Sequence, residues 1–204
     1  MFISSLELRN ILSFREPPPF ELGPLNILIG ANGSGKSNLI DCRGILQALP
    51  NGLGSYFNRR GGTDAWIWRG SRESAEIGCR FHVDGEQLLY EMEFGPLERT
   101  LSVEKESVGS DTRRDLFLVR QGLSVRIGES AGDNAAIAPL ESIFAAYRNP
   151  SDPTSITRSG RALEDIRIYG EFDTSVNSSA RTRVSSSAEK HPLSKRPRTT
   201  SHLR

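Results

Sequence analysis

Eight consecutive residues, 30–37, carry the clearest chemical signal in the chain. They read Gly-Ala-Asn-Gly-Ser-Gly-Lys-Ser and fit the phosphate-binding loop pattern G-x-x-x-x-G-K-[ST] at every defined position. The apolar residues 25–29 precede them and predict a buried strand, and residues 38–49 follow with the period of a helix. A strand, a glycine-rich turn and a helix in this order form the context that the pattern requires. The sequence therefore predicts a nucleoside triphosphate site, with ATP as the first choice.

Each residue type in the loop suits a triphosphate. Glycines at 30, 33 and 35 let the backbone take positive φ and approach the phosphate oxygens, and the following helix presents its positive end. Lys36 would reach the β- and γ-phosphates, and the Ser37 hydroxyl would bind Mg²⁺. The alternative is a glycine-rich turn with a chance Lys-Ser, which the context makes the weaker interpretation. The predicted nucleotide-binding residues are Gly30, Asn32, Gly33, Ser34, Gly35, Lys36, Ser37 and Asn38, with Ser37 as the metal ligand.

Composition limits the class of protein. A chain of 204 residues with net charge +1 predicts no strong attraction to nucleic acid or to a membrane surface. Cys42 and Cys79 read as buried apolar residues, and the three histidines do not cluster. No segment reaches the roughly 18 apolar residues of a membrane helix, and the N-terminus lacks the features of a signal peptide. We expect a cytoplasmic protein without a membrane partner.

Beyond the loop, the clearest pattern is an antiparallel hairpin at residues 76–94. Apolar residues alternate with polar ones on both sides of Asp84-Gly85, a strong two-residue turn signal. An imperfect alternation predicts a first strand at residues 2–11. The remaining predicted elements are strands at 101–103, 116–119 and 125–127, a helix at 139–147, a short helix around Leu163, and a strand at 166–169.

Residues 53–70 read as a long loop with a short extended piece. Trp66 and Trp68 lie there among glycines and arginines. The two rings suit either the edge of the core, which we favour, or the stacking of a nucleotide base or a partner.

The composition changes near Asp173. From there the chain is rich in Ser, Thr and Arg and nearly free of large apolar residues, which predicts a disordered tail at 173–204 after a folded part at 1–172. The basic run at 195–198 reads as a solvated charge run in preference to a nucleic-acid patch.

Hydrolysis requires groups that the sequence does not offer. An apolar strand ending in Asp or Asp-Glu should hold Mg²⁺ and orient water, but residues 88–91, 116–121 and 166–171 fit that pattern poorly. Only residues 25–29 read as a parallel core strand, whereas such cores usually have several. We therefore expect an α/β fold: an incomplete P-loop NTPase core with an inserted antiparallel β meander. Catalytic residues stay unknown.

Residues 6–14 and 25–41 resemble the RecF and SMC branch of ABC-type P-loop proteins, and most closely the N-terminal portion of bacterial AAA family ATPases of that type. The resemblance covers residues 1–172. It implies binding of ATP with Mg²⁺, a head that dimerises head-to-head around ATP, and a role in DNA repair, chromosome biology or phage defence. The family's signature motif, acidic strand and catalytic Glu lie further downstream, so we expect an early stop with a shifted frame near Asp173.

Alternatives to an ATPase stay open. One is a nonenzymatic interaction module that nucleotide merely stabilises, and another is an inactive remnant. A small-molecule P-loop kinase is disfavoured because no lid or acceptor site is visible and because a long antiparallel insertion follows the first helix. The meander carries no clear basic stripe, so the sequence leaves DNA binding open.

Overall fold

An antiparallel sheet organises the part of the chain that the computed structural model describes. That part belongs to one unit, Met1–Ile168. The tail predicted at residues 173–204 lies outside the described residues, so its disorder stays a prediction. The described residues are 2–59, 61–62, 65–97, 100–110, 116–127, 135–147 and 154–168.

The described residues form eight strands and four helices. The strands are β1 (Phe2–Arg9), β2 (Phe20–Glu21), β3 (Ala75–Val83), β4 (Glu86–Leu97), β5 (Thr100–Ser110), β6 (Leu116–Gln121), β7 (Ser124–Ile127) and β8 (Ala135–Ala136). The helices are α1 (Lys36–Ala48), α2 (Leu53–Asn58), α3 (Ile143–Ala146) and α4 (Ser155–Glu164). The strand order is β2-β1-β3-β4-β5-β6-β7-β8, and every neighbouring pair is antiparallel.

The predicted hairpin is confirmed as β3 and β4. Val83 pairs with Glu86 across a two-residue turn in which Asp84 has φ of 51° and Gly85 has φ of 82°. Positive φ at both central residues gives a turn whose twist matches that of the two strands. The strands predicted at 2–11, 101–103, 116–119 and 125–127 are likewise confirmed, as β1, β5, β6 and β7, so the meander follows from local alternation. The short strands β2 and β8 were not predicted.

One face of the sheet forms the core, and the helices cover it. Side chains of β3 alternate between buried and half-buried along its whole length. The Phe57 ring of α2 lies 5.0 Å from the Phe94 ring of β4, and the Phe144 ring of α3 lies 5.3 Å from the Tyr90 ring. Helix α1 buries Leu39, Cys42, Ile45 and Leu46 in the same cluster. The fold is thus a layer of helices on one face of a sheet.

Both cysteines are buried and free, as predicted. Burial raises the pKa of the Cys42 thiol to about 12 and raises the pKa of Cys79 as well. Neither thiol forms the reactive thiolate at neutral pH.

Among the elements predicted after the glycine-rich loop, three differ from the structure. The predicted loop after α1 begins with a helix, α2, because Leu53 and Phe57 lie one turn apart and both are buried. The helix predicted at 139–147 is reduced to α3, which Ser142 caps by accepting a hydrogen bond from the Phe144 amide. The strand predicted at 166–169 is wrong over 166–168, where the Ile166 carbonyl accepts a hydrogen bond from Gln47 of α1 at 2.7 Å.

A buried ion pair joins the meander to the segment before α3. The side chains of Glu106 on β5 and Arg120 on β6 are fully buried, with 3.9 Å between their charged groups. Glu106 accepts hydrogen bonds from the hydroxyls of Tyr90 and Ser142, at 2.8 and 2.7 Å, and from the Ile143 amide at 3.0 Å. These donors hold the start of α3 against the sheet.

Arg120 also donates hydrogen bonds to main-chain carbonyls, three of them in the segment before α3. Its guanidinium donates to the carbonyls of Gly122, Ala138, Pro139 and Glu141. Burial raises the pKa of Glu106, against its donors and the arginine, and burial lowers the pKa of Arg120. Each charge therefore depends on its partners to offset a large desolvation cost.

We predict that Arg120→Met destabilises the fold by about 3–5 kcal/mol, because it leaves Glu106 buried without its cation. The double variant Glu106→Gln/Arg120→Met should lose less than this single variant, because no unpaired charge remains. Urea unfolding followed by circular dichroism measures both. Arg126→Met, at an exposed position of β7, is the matched control. Equal stability of the Arg120 variant and this control would contradict the prediction.

Candidate functional site

The glycine-rich loop curves into the start of α1. Gly33 and Gly35 have φ of 81° and 92°, the left-handed region that glycine enters without strain. Gly35 caps α1, which begins at Lys36. The helix predicted after the loop is therefore confirmed. The two glycines supply the turns that lead the loop into the N-terminus of α1.

The Lys36 side chain folds back over the loop. Its ammonium donates hydrogen bonds to the carbonyls of Gly30 and Ala31, both at 2.7 Å, and to the Ser34 hydroxyl at 3.3 Å. A side chain on Gly30 would meet the Ser34 hydroxyl at 2.8 Å, so a close approach within the loop requires glycine there. These contacts place a positive charge against the loop's main chain.

The main-chain amides at the loop and helix start are open. Within the described part of the chain, the N–H groups of Gly33, Gly35, Lys36, Ser37 and Asn38 donate to no acceptor. Unpaired donors at a helix N-terminus, with the positive end of the helix dipole, favour an anion. The first turn of α1 contains no acidic residue that would compete for them.

All eight predicted site residues lie on this loop and on the first turn of α1. Asn32, Ser34 and Ser37 are exposed, while Gly35, Lys36 and Asn38 are half-buried. The structure brings these residues together because they are consecutive. Their roles as ligands of a nucleotide or of Mg²⁺ stay a prediction.

The strand predicted at residues 25–29 is not observed. These residues form no strand, and Leu25, Ile27 and Ile29 are 81%, 75% and 91% exposed. A buried strand needs a neighbour on at least one side, and the described sheet ends at β2 without pairing with this segment. The prediction of a buried strand is therefore wrong for the described structure, because burial depends on a partner that the described residues do not supply.

A tight turn between β1 and β2 contacts the loop. A side chain on Gly35 would meet the Ser13 hydroxyl at 3.0 Å and the Phe14 ring at 3.4 Å. The turn is strained, since Leu12 has φ of 52°, a conformation that costs a non-glycine residue on the order of 1–3 kcal/mol. Burial of Leu12 and its amide hydrogen bond to the Trp66 carbonyl, at 2.7 Å, hold it there.

The two tryptophans have different environments. Trp66 is fully buried and donates to the Phe57 carbonyl at 3.0 Å, so the favoured core interpretation is correct for it. Trp68 is half-buried, and the Arg15 guanidinium lies over its ring at 5.5 Å from the centroid. Sequence reasoning missed Ser13 and Phe14 as neighbours of the loop, because the contact joins residues about twenty positions apart.

A second concave surface lies on the sheet face opposite the core. It encloses about 630 Å³ and is lined by charged residues of β1, β3, β4 and β5. Ion pairs cross its strands: Arg9 with Glu76 at 2.8 Å, Arg80 with Glu7 at 3.0 Å, and Lys105 with Glu93 at 2.6 Å. Because the charges alternate in sign, this face offers no basic stripe for a phosphate backbone.

Two absences concern the described residues alone. No group of three or more His, Cys, Asp or Glu side chains there is arranged to hold a metal ion. None of the helices in that part is long and apolar enough to cross a membrane.

Known proteins are similar to this chain over the region that holds the glycine-rich loop and most of the meander. A family model described as "AAA domain, putative AbiEii toxin, Type IV TA system" matches residues 25–126, half of the chain. The "DNA double-strand break repair Rad50 ATPase" of Sulfolobus acidocaldarius is 33% identical over 126 residues, which are 61% of this chain and 13% of that protein. The chain thus corresponds to a small part of this curated relative. The resemblance to the RecF and SMC branch is confirmed, and the chain belongs to this AAA domain family, as an ATPase-type domain related to Rad50.

Proposed function

We propose that this chain binds Mg-ATP through the loop at residues 30–37. The observation that carries the proposal is the set of open amides at Gly33 and at residues 35–38, next to the Lys36 ammonium. A polyphosphate supplies several negatively charged acceptors at once, which matches this donor set better than a single carboxylate does. The family supports a nucleotide as the ligand.

Each loop residue has a distinct task in this proposal. Gly30, Gly33 and Gly35 keep the approach to the amides free of side chains. Lys36 would exchange its carbonyl partners for the β- and γ-phosphates, and Ser37 would turn its exposed hydroxyl to the metal. Bound Mg²⁺ supplies charge neutralisation across the phosphate oxygens. Asn32, Ser34 and Asn38 would add contacts along the phosphate chain.

Lys36→Ala should weaken ATP binding by about 1.5–3 kcal/mol, the worth of a charge-assisted hydrogen bond. Titration calorimetry with Mg-ATP measures the loss. Lys105→Ala is the matched control, because Lys105 pairs with Glu93 on the sheet face away from the core. Parent-like affinity in the Lys36 variant would remove the loop from the nucleotide site.

Ser37→Ala should reduce the gain in ATP affinity that Mg²⁺ provides. The affinity for metal-free ATP should stay nearly unchanged. The reason is that the hydroxyl is assigned to Mg²⁺ and not to a phosphate. ATP titrations with Mg²⁺ and with EDTA measure the two affinities for the parent and the variant. A loss of equal size in both conditions would assign Ser37 to the phosphates instead.

Hydrolysis is a separate matter from binding. Phosphoryl transfer to water requires a carboxylate for the metal and a group that orients water. Among the described residues, the hydrogen bonds of the loop involve carbonyl and hydroxyl oxygens and no carboxylate. The exposed apolar residues 25–29 favour a second candidate function, an interaction module whose assembly nucleotide stabilises. Its partners would be a second copy of the chain, as a head-to-head dimer, or another protein, and DNA is a further candidate.

We expect this chain alone to bind ATP without turning it over. Steady-state phosphate release from the purified chain should match that of Lys36→Ala, which serves as the baseline. Release well above this baseline would identify the chain as an ATPase in its own right and would disfavour the module.

A further inference from the structure

The backbone of residues 25–29 is open along its whole length. Within the described part of the chain, none of its N–H or C=O groups forms a hydrogen bond to another residue. Contacts hold the segment near both ends. The Asn26 side chain exchanges two hydrogen bonds with the main chain of Gly23, at 2.8 and 2.9 Å, and the Gly30 carbonyl accepts one from Lys36. The chain itself therefore presents these open groups.

The edges of the described sheet differ from this segment. Strands β2 and β8 contain two residues each, and three prolines at 17–19 precede β2. Very short edge strands and prolines keep a sheet from adding a strand of another molecule. Residues 25–29 contain no proline and no charge, and the side chains of Leu25, Ile27 and Ile29 are mostly exposed. Such a segment is a template for a further strand.

The segment is complementary to itself. In an antiparallel pair centred on Ile27, this residue faces its own copy, and Leu25 faces Ile29 of the second copy. The exposed apolar side chains of both copies then share one face. Pro24, which has no N–H, faces Gly30, whose carbonyl already accepts a hydrogen bond within its own chain. The occupied carbonyl thus meets the one residue that cannot donate to it.

The charges on either side of the segment favour the same arrangement. Glu21 is the last charged residue before the segment, and Lys36 is the first after it. Two antiparallel copies bring the acidic end of each to the basic end of the other, whereas two parallel copies bring like charges together. The antiparallel arrangement has a two-fold axis, so it closes at two copies.

We propose that residues 25–29 pair antiparallel with the same segment of a second copy, about a two-fold axis at Ile27. This inference rests on the interaction module named above as the second candidate function, and it supplies the partner and the contact surface. The contact needs no nucleotide. Full burial of a Leu or Ile side chain removes roughly 60–120 Å² of apolar surface, so six of them bury about 400–700 Å². Stable interfaces bury at least about 1,200 Å², so we expect a weak, reversible dimer.

Sedimentation equilibrium of the purified chain without nucleotide tests the pairing. The parent should shift from monomer to dimer as its concentration rises from the low micromolar to the near-millimolar range. Ile27→Lys and Ile27→Glu should each stay monomeric, because two like charges would face each other at the axis. An equimolar mixture of the two variants should recover the dimer, because the introduced charges are then opposite.

Leu123→Lys is the matched control, because Leu123 is 54% exposed in the turn between β6 and β7. It should associate like the parent, and circular dichroism should show that every variant folds. A monomeric parent would overturn the proposal, and so would Ile27 variants that associate like the parent. A mixture of the two Ile27 variants that stays monomeric would overturn the axis at Ile27, and complexes larger than a dimer would overturn the two-fold closure.

Titration of Mg-ATP into the same samples separates this inference from the proposed ATP binding. A parent that dimerises without binding ATP would overturn the ATP site and support the pairing. A parent that binds ATP and stays monomeric at every concentration would overturn the pairing and leave the ATP site intact.

Discussion

The packing of α1 against the core fixes the glycine-rich loop in space. In most strand–loop–helix motifs the strand holds one end of the loop and the helix holds the other. Here residues 25–29 lie outside the sheet, so the described contacts anchor the loop mainly from the helix side. The buried side chains of α1 fix its axis, and the contact of Gly35 with the turn at Ser13 and Phe14 fixes its N-terminus. The direction of the open amides follows from these two constraints.

Features that depend on neighbouring residues were predictable from the sequence. The hairpin at Asp84-Gly85, the alternation of β3 and β4, and the helix after the loop each follow from a pattern within about ten residues. The loop itself was predictable because its glycines and lysine act through their own main chain and one short side-chain reach. Such patterns need no knowledge of which distant elements pack together.

Features that depend on distant partners were not predictable in the same way. Residues 25–29 have the composition of a buried strand, but composition cannot supply the neighbouring strand. The burial of Glu106 was missed for another reason. Val103 is buried on β5, and strict alternation would then bury Lys105 and expose Glu106. The register shifts where Lys105 pairs with Glu93 and Val103 pairs with Phe94, so one extra residue, Glu104, reverses the alternation. The bulge thus places a carboxylate in the core and a lysine outside.

The exposed residues 25–29 and the open loop amides both lack partners among the described residues. Side chains such as Leu25, Ile27 and Ile29 would each gain roughly 1.5–3 kcal/mol from full burial, and the described fold does not obtain this gain. Among the described residues, no backbone hydrogen bond joins the segment to a strand, so its backbone also keeps donors and acceptors that a neighbouring strand would satisfy. A strand paired there would order the segment up to Gly30, whose carbonyl is one of the two that hold Lys36. Gly30 therefore connects the apolar segment to the lysine, so the proposed assembly and the proposed nucleotide binding would affect each other at this end of the loop.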